Sequence, residues 1–398
     1  MRPANIVAID LIIQTILITT QICLQVTLWR AATRAAWKGG RRLVLGILLA
    51  VVDTYLLLAL MVGNSGLPFR LTLPQSWNRP LLFPSNLYLF ACAGSYAVYL
   101  VYRFLARRFL RVEELRQVNS GRRLALQAIG YATIAAPATT LALGATIGRT
   151  DFQVREVAIL VPGLHPDLEG LRIVQLSDLH LGDFLAEREL ARVIDTANTL
   201  RGHFGLVTGD LITRAGDPLP AAVRQLARFK TDAGAFGCMG NHEIYANTEL
   251  LTEQMCARIG IPFLRKTSQI LRFGQGQFNL AGVDFQTSRR KDLYLKGTEK
   301  LIVPGIPNFL LSHNPDVFLT SISKGFDVTF AGHTHGGQIT MEILDQTLNF
   351  ARFYTPFVSG LYTREGKSLY VTRGIGTIGI PSRVGAFPEI TLITLKRA

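Results

Sequence analysis

Four apolar stretches separated by arginine-rich segments occupy the first 150 residues, and no other feature limits the fold so tightly. They run over Ile6–Trp29, Leu43–Val62, Leu87–Leu105 and Leu124–Ile147. A bilayer core of about 30 Å needs about 20 helical residues, and three of the four reach that length. The third offers 16 uncharged residues, Leu87–Tyr102, before Arg103. It must run short, tilt, or let Arg103 snorkel to the interface. Helices buried in a water-soluble domain would need polar faces, which the second and fourth stretches barely have. The pattern predicts an N-terminal all-α membrane domain of four helices over residues 1–148.

Charge follows the same division. Of the formal net charge of +14, residues 1–150 hold 16 Lys+Arg against 4 Asp+Glu, and the remainder 26 against 24. The excess lies in the apolar half, so the second half has no basic stripe to track a phosphate backbone, and nucleic acid is not an expected partner. Arg30, Arg34, Lys38, Arg41 and Arg42 fill the first loop, and Arg103, Arg107, Arg108, Arg111, Arg116, Arg122 and Arg123 the third. The other side has only Arg2, Arg70, Arg79, Arg149 and Arg155. Positive loops stay cytoplasmic, which predicts a multi-pass protein of the plasma (inner) membrane with everything after Ile147 outside the cytoplasm. Ser120-Gly-Arg-Arg-Leu-Ala-Leu also loosely resembles a twin-arginine export signal, which would lead to the same side. Asp53 lies mid-span. An intramembrane carboxylate is a functional candidate by default, but no acidic or histidine relay accompanies it, and a helix–helix hydrogen bond accounts for it equally well. Four Cys are too few for a disulfide-built scaffold, and buried thiols are expected.

From Phe152 the pattern changes to that of an α/β domain: residues 149–170 form a linker and first strand, and residues 171–398 the domain itself. Strands are predicted at Val154–Val161, Leu171–Leu176, Phe204–Thr208, Ala235–Met239, Asn308–Leu311, Phe326–Phe330, Leu369–Thr372 and Glu389–Lys396. Helical spacing marks Leu190–Leu200 and Pro220–Lys230. Five of these strands are followed directly by Asp, His or Asn. Ligands of α/β sheets gather beyond the carboxyl ends of the strands, so Asp178, His180, Asp210, Asn241, His242, His313, His333 and His335 are expected to converge. All seven His fall between residues 165 and 335, and five belong to these strand ends. The other two, His165 and His203, read as surface or packing residues.

The ordered blocks Asp178-Leu-His180, Gly209-Asp210, Gly240-Asn241-His242-Glu243, His313 and Gly332-His333-Thr-His335 resemble the calcineurin-like metallophosphoesterases. The close, Tyr370-Val-Thr-Arg-Gly-Ile-Gly and Pro388-Glu-Ile-Thr-Leu, is similar to their exported or membrane-tethered bacterial branch. The resemblance implies an α/β/β/α sandwich and a two-metal site. Asp178, His180 and His335 would hold one ion, Asn241, His313 and His333 the other, and Asp210 both. His242 would serve as general acid with Asp178 orienting it. A family Asp is often found where this chain has Thr213, which leaves the support of the ligands open. A mixed imidazole, carboxylate and amide set suits Mn²⁺, Zn²⁺ or iron.

The implied reaction is hydrolysis of a phosphodiester or phosphomonoester by a hydroxide that two metals activate. Pyrophosphate-linked lipid or sugar-nucleotide precursors, as for a UDP-diacylglucosamine-type diphosphatase, are the alternative substrates, and a lipid-linked one would suit the bilayer. A catalytically silent tether is the non-enzyme alternative, disfavoured because every ligand position is filled. No nucleophile elbow or P-loop stands at a strand–helix junction. The Gly374–Gly385 region reads as loop packing, or as a rim where Arg373 or Arg383 meets a phosphate.

Overall fold

A computed structural model describes residues 4–34, 39–63, 75–109, 120–343 and 346–398. Lys38, Arg2, Arg70, Arg111 and Arg116 of the charge pattern lie outside the described residues. The chain divides into two compact units. The first runs to Thr146 and takes in Gly379–Ser382, and the second comprises Ile147–Ile378 and Arg383–Ala398.

The first unit is helical: α1 (Ala4–Arg34), α2 (Gly39–Gly63), α3 (Gln75–Phe109) and α4 (Ser120–Leu143), the last extended by a π-helical turn at Gly144–Gly148. All four are long and apolar enough to cross a membrane. Their outward faces are apolar: Leu43, Val44, Leu48 and Val51 of α2 are each more than half exposed. In water this surface would be costly, and in hydrocarbon it is not. Mid-span Asp53 accepts hydrogen bonds from Gln21 and Gln25 of α1, both at 2.9 Å on Oδ1. Thus the carboxylate joins α1 to α2.

The third span is longer than the uncharged run, because α3 continues back through Pro84 and Pro80. Pro84 has no N–H, so the carbonyl of Pro80 loses its helical donor. Tyr55 of α2 supplies one, its hydroxyl lying 2.8 Å from the Pro80 oxygen and 2.9 Å from that of Leu81.

The second unit contains thirteen strands and five α-helices among the described residues. In chain order the strands are β1 (Gln153–Val161), β2 (Arg172–Leu176), β3 (Phe204–Val207), β4 (Ala235–Gly237), β5 (Thr267–Phe273), β6 (Gly276–Gly282), β7 (Asn308–Leu311), β8 (Val328–Ala331), β9 (Thr340–Ile343), β10 (Gln346–Asn349), β11 (Gly360–Arg364), β12 (Lys367–Val371) and β13 (Glu389–Arg397). The helices are α5 (Glu187–Thr199), α6 (Leu219–Leu226), α7 (Asn241–Ala246), α8 (Glu249–Arg258) and α9 (Phe318–Lys324). One sheet has the order β1-β13-β2-β3-β4, the other β11-β12-β8-β7-β6-β5, and β9 pairs with β10 as a separate hairpin.

Strand periodicity builds the layers. Ile173, Leu206, Phe278, Leu280, Phe309, Leu311 and Phe330 point between the sheets and form one buried cluster. Their neighbours Val174 and Val207 point the other way, against Leu190, Val193 and Ile194 of α5 and Leu226 of α6. Ala281 and Leu310 do the same behind the second sheet, packing with Val317 and Phe326. Both faces of the central strands are therefore buried, which is why they read as continuous apolar runs. The result is an α/β/β/α sandwich. The hairpin β5–β6 escaped sequence reading because β5 is an edge strand whose residues Thr267–Ile270 are all exposed and leave no clean alternation.

Candidate metal centre

Strands β2, β3 and β4 of one sheet are parallel to one another, as are β7 and β8 of the other, and each ends in one motif. The motifs meet and interlock through the backbone. Asp178 N–H donates to Gly209 O at 3.0 Å, His180 N–H to Asp210 O at 3.0 Å, and Gly332 N–H to His313 O at 3.1 Å. Carboxylates tie the blocks further: His242 N–H donates to Asp210 Oδ1 at 2.8 Å, and His333 N–H to Asp178 Oδ1 at 3.0 Å. Gly240 is needed here, because a Cβ would run into the Asp210 carboxylate and backbone.

The backbone is bent for this convergence. Asp178, His180, Asp210, His333 and His335 all take positive φ, from 46° to 75°. Non-glycine residues pay for that conformation, and strain of this kind persists where surrounding contacts over-determine it. Five such residues in one site are a concentration that sequence alone does not disclose.

Donor atoms fall into overlapping groups. Those of Asp178, His180 and His335 lie within 4.8 Å of one another, as do those of Asp210, His313 and His333, and those of His180, Asp210 and His242. Asp210 Oδ2 is 3.0 Å from His313 Nε2 and 3.5 Å from His180 Nε2, and His335 Nε2 is 3.5 Å from Asp178 Oδ1. His180 Nε2, His313 Nε2 and Asn241 Oδ1 are nevertheless buried without a hydrogen-bond partner. A buried polar atom left so is costly, and the two imidazole nitrogens beside the Asp210 carboxylate are what a cation would relieve. The donor set therefore fits divalent metal.

The other ring nitrogens are accounted for. His313 Nδ1 lies 2.6 Å from the Thr208 carbonyl, and His180 Nδ1 3.1 Å from Thr213 Oγ1. With Nδ1–H donated outward, Nε2 keeps its lone pair for the site. Burial, then the charge on His313, pulls His333 down to about 3, and burial with Arg383 does the same to His335, so both are neutral imidazoles at ordinary pH. Burial also opposes charge on His313, but Asp210 and Asp178 outweigh it and push that group up to about 10.

Some roles differ from the expectation. The contact that orients His242 is the Thr213 carbonyl, 2.5 Å from Nδ1, while the Asp178 carboxylate faces His333, His335 and His313. His242 stands in the first turn of α7, its ring beside that of His180. Thr213 therefore meets two histidines, one by its hydroxyl and one by its carbonyl.

Glu243 was not assigned a role by sequence reasoning. It is fully buried, and its carboxylate accepts from the N–H groups of Asp210, Leu211 and Gly240 at 3.0, 2.7 and 2.9 Å. Its place at the third position of α7, as in a capping box, was the available signal. Phe285 also adds an aromatic wall, its ring 5.2 Å from that of His333. Arg383 does not face the cleft. It is 1% exposed, with its donors spent on carbonyls. All four cysteines are free.

Residues 171–337 match the family model of the calcineurin-like phosphoesterases. The chain is 29% identical over 332 residues to a transmembrane protein with metallophosphoesterase domain from Danio rerio, covering 79% of this chain and 74% of that one. An uncharacterized metallophosphoesterase of Campylobacter jejuni is 31% identical over 250 residues, 61% of this chain and 63% of its own. The metallophosphoesterase YkuE of Bacillus subtilis, also uncharacterized, is 29% identical over 233 residues, 57% of this chain and 80% of its own.

Proposed function

We propose that this chain, which carries a calcineurin-like metallophosphoesterase domain and hydrolyses phosphate esters, does so with two divalent ions at the junction of its two sheets. Asp178, His180 and His335 would hold one ion, and Asn241, His313 and His333 the other, with Asp210 shared. The position of Asp210 Oδ2 between two buried, unpartnered imidazole nitrogens is the observation that carries this reading. When bound, such ions neutralise phosphoryl oxygens and acidify the attacking water. Mn²⁺, Zn²⁺ or iron suits the donor set.

The chain's own residues supply the rest. Thr213 holds His242 at Nδ1, leaving Nε2 to deliver a proton to the departing oxygen. Glu243 locks the Asp210 backbone to the start of α7, fixing the shared carboxylate relative to Asn241 and His242.

Four candidate spans and transmembrane relatives make it a membrane protein. The arginine-rich loops support a catalytic domain outside the cytoplasm, at the plasma (inner) membrane. A phosphodiester or phosphomonoester is the first substrate class, and the spans favour a lipid-linked diphosphate as the second. Purified full-length protein with Mn²⁺, assayed on bis-p-nitrophenyl phosphate, a monoester and lipid-linked diphosphates, separates them. Turnover of none of the three, with metal bound, would remove the catalytic reading.

A further inference from the structure

Arg383 is the largest fully buried side chain among the described residues. Its Nε donates to Gly376 O at 3.1 Å, Nη1 to His335 O and Ala386 O at 3.2 and 3.0 Å, and Nη2 to Arg373 O and Gly374 O at 2.9 and 3.2 Å. Nη2 also lies 3.3 Å from His335 Nδ1. Among the described residues no carboxylate forms an ion pair with it. A guanidinium buried this way is costly, and a Met of similar length would pack at lower cost. Packing alone does not account for an arginine here.

What the guanidinium holds is a turn, and the turn holds the metal motif. Ile375 N–H donates to Ser177 O at 3.0 Å and Gly376 N–H to Asp178 O at 2.7 Å. A Cβ at Gly376 would collide with the Leu179 carbonyl, so the turn lies directly on the backbone of Asp178-Leu179-His180. That backbone has φ of 52° at Asp178 and 46° at His180. On the other side the same guanidinium takes the carbonyl of His335, whose φ is 53°. One planar group thus reaches both ends of the Asp178–His180–His335 cluster.

We propose that Arg383 is the positioning residue of this half of the metal centre, pinning the Arg373–Gly376 turn and the His335 backbone so that the three donors keep their spacing. The proposal rests on the two-ion reading above. It gives the Asp178–His180–His335 ion a dependence on Arg383 that the Asn241–His313–His333 ion does not share. Lysine cannot replace it, because a single ammonium cannot address five carbonyls spread in a plane.

The test uses the full chain in detergent, with Mn²⁺ titrated and free ion read by electron paramagnetic resonance. Arg383→Ala should weaken one of the two sites 10- to 100-fold, the range for removing a group that orients a metal ligand, and leave the other unchanged. Arg383→Lys should not restore it, whereas guanidinium ion added to Arg383→Ala should, and methylammonium should not. Hydrogen exchange of the Ile375 and Gly376 amides should accelerate in both variants, a readout that needs no metal. If the Ala variant does not fold, the Lys variant decides. Two wild-type sites in a folded variant with unchanged exchange would overturn the proposal. A wild-type protein that binds fewer than two ions would instead overturn the two-ion reading, and the exchange result would still judge Arg383.

Discussion

At the scale of single residues, substitutions of Asp210 and His242 test the proposed division between metal binding and proton transfer. Asp210→Ala removes the carboxylate proposed to bridge the two ions, so both should bind poorly and turnover should collapse for every substrate. His242→Ala should keep metal content near wild type and cost 10²- to 10⁴-fold in rate, the usual worth of a general acid. The loss should be largest for alkyl esters and shrink for nitrophenyl esters, which leave without protonation. Loss of metal from His242→Ala, or equal slowing of both ester types, would count against its role as acid. A second residue gives a pH signature. Asp217 accepts from the N–H groups of Thr213 and Arg214, both at 2.9 Å, and so holds the loop that supports His180 and His242. Burial, partly offset by Arg214, raises it to about 6. An acid whose folded pKa exceeds its unfolded value of about 3.9 binds its proton more tightly when folded. Its contribution to stability is therefore full below pH 4 and lost as pH rises through 6, by about 3 kcal/mol for a two-unit shift. The difference in thermal midpoint between wild type and Asp217→Asn should fall from pH 4 to pH 6.5. A difference that stays flat or grows would contradict this.

At the scale of elements, strand ends and helix repairs matter most. Each parallel strand delivers its motif at its carboxyl end, where the chain leaves the ladder and the backbone is free to take the bent conformations seen at Asp178, Asp210 and His333. Predicted strand ends ran one or two residues long at Thr208 and Met239 for this reason: those residues already belong to the site loops. In the membrane unit, α3 runs through Pro80 and Pro84. The cost is met from another helix, by the Tyr55 hydroxyl. Tyr55→Phe should therefore destabilise the helical unit by about 1 kcal/mol, the scale of one hydrogen bond. Graded denaturation in detergent should show an earlier transition with unchanged metal binding. An unchanged transition would mean the prolines are tolerated without Tyr55.

At the scale of the whole molecule, the loop charges make a prediction independent of the chemistry. A reporter fused after Ala398 should be active only if it works outside the cytoplasm, since both arginine-rich loops should stay inside. Strong signal from a reporter that functions only in the cytoplasm would reverse the proposed orientation and with it the side on which substrate is met.

The sequence by itself determined where the apolar helices and most central strands lie, because each is a periodic pattern among near neighbours and bilayer thickness sets a length. It also displayed the polar residues at the strand ends, in order. Only the tertiary structure decided how they support one another: Thr213 rather than Asp178 against His242, Glu243 across two motifs, and Arg383 behind His335. Those contacts join residues 29 to 48 positions apart, and the one between Asp178 and His333 spans 155. At such separations no repeat marks the pairing, and a buried donor is matched to its acceptor only when the two sheets pack.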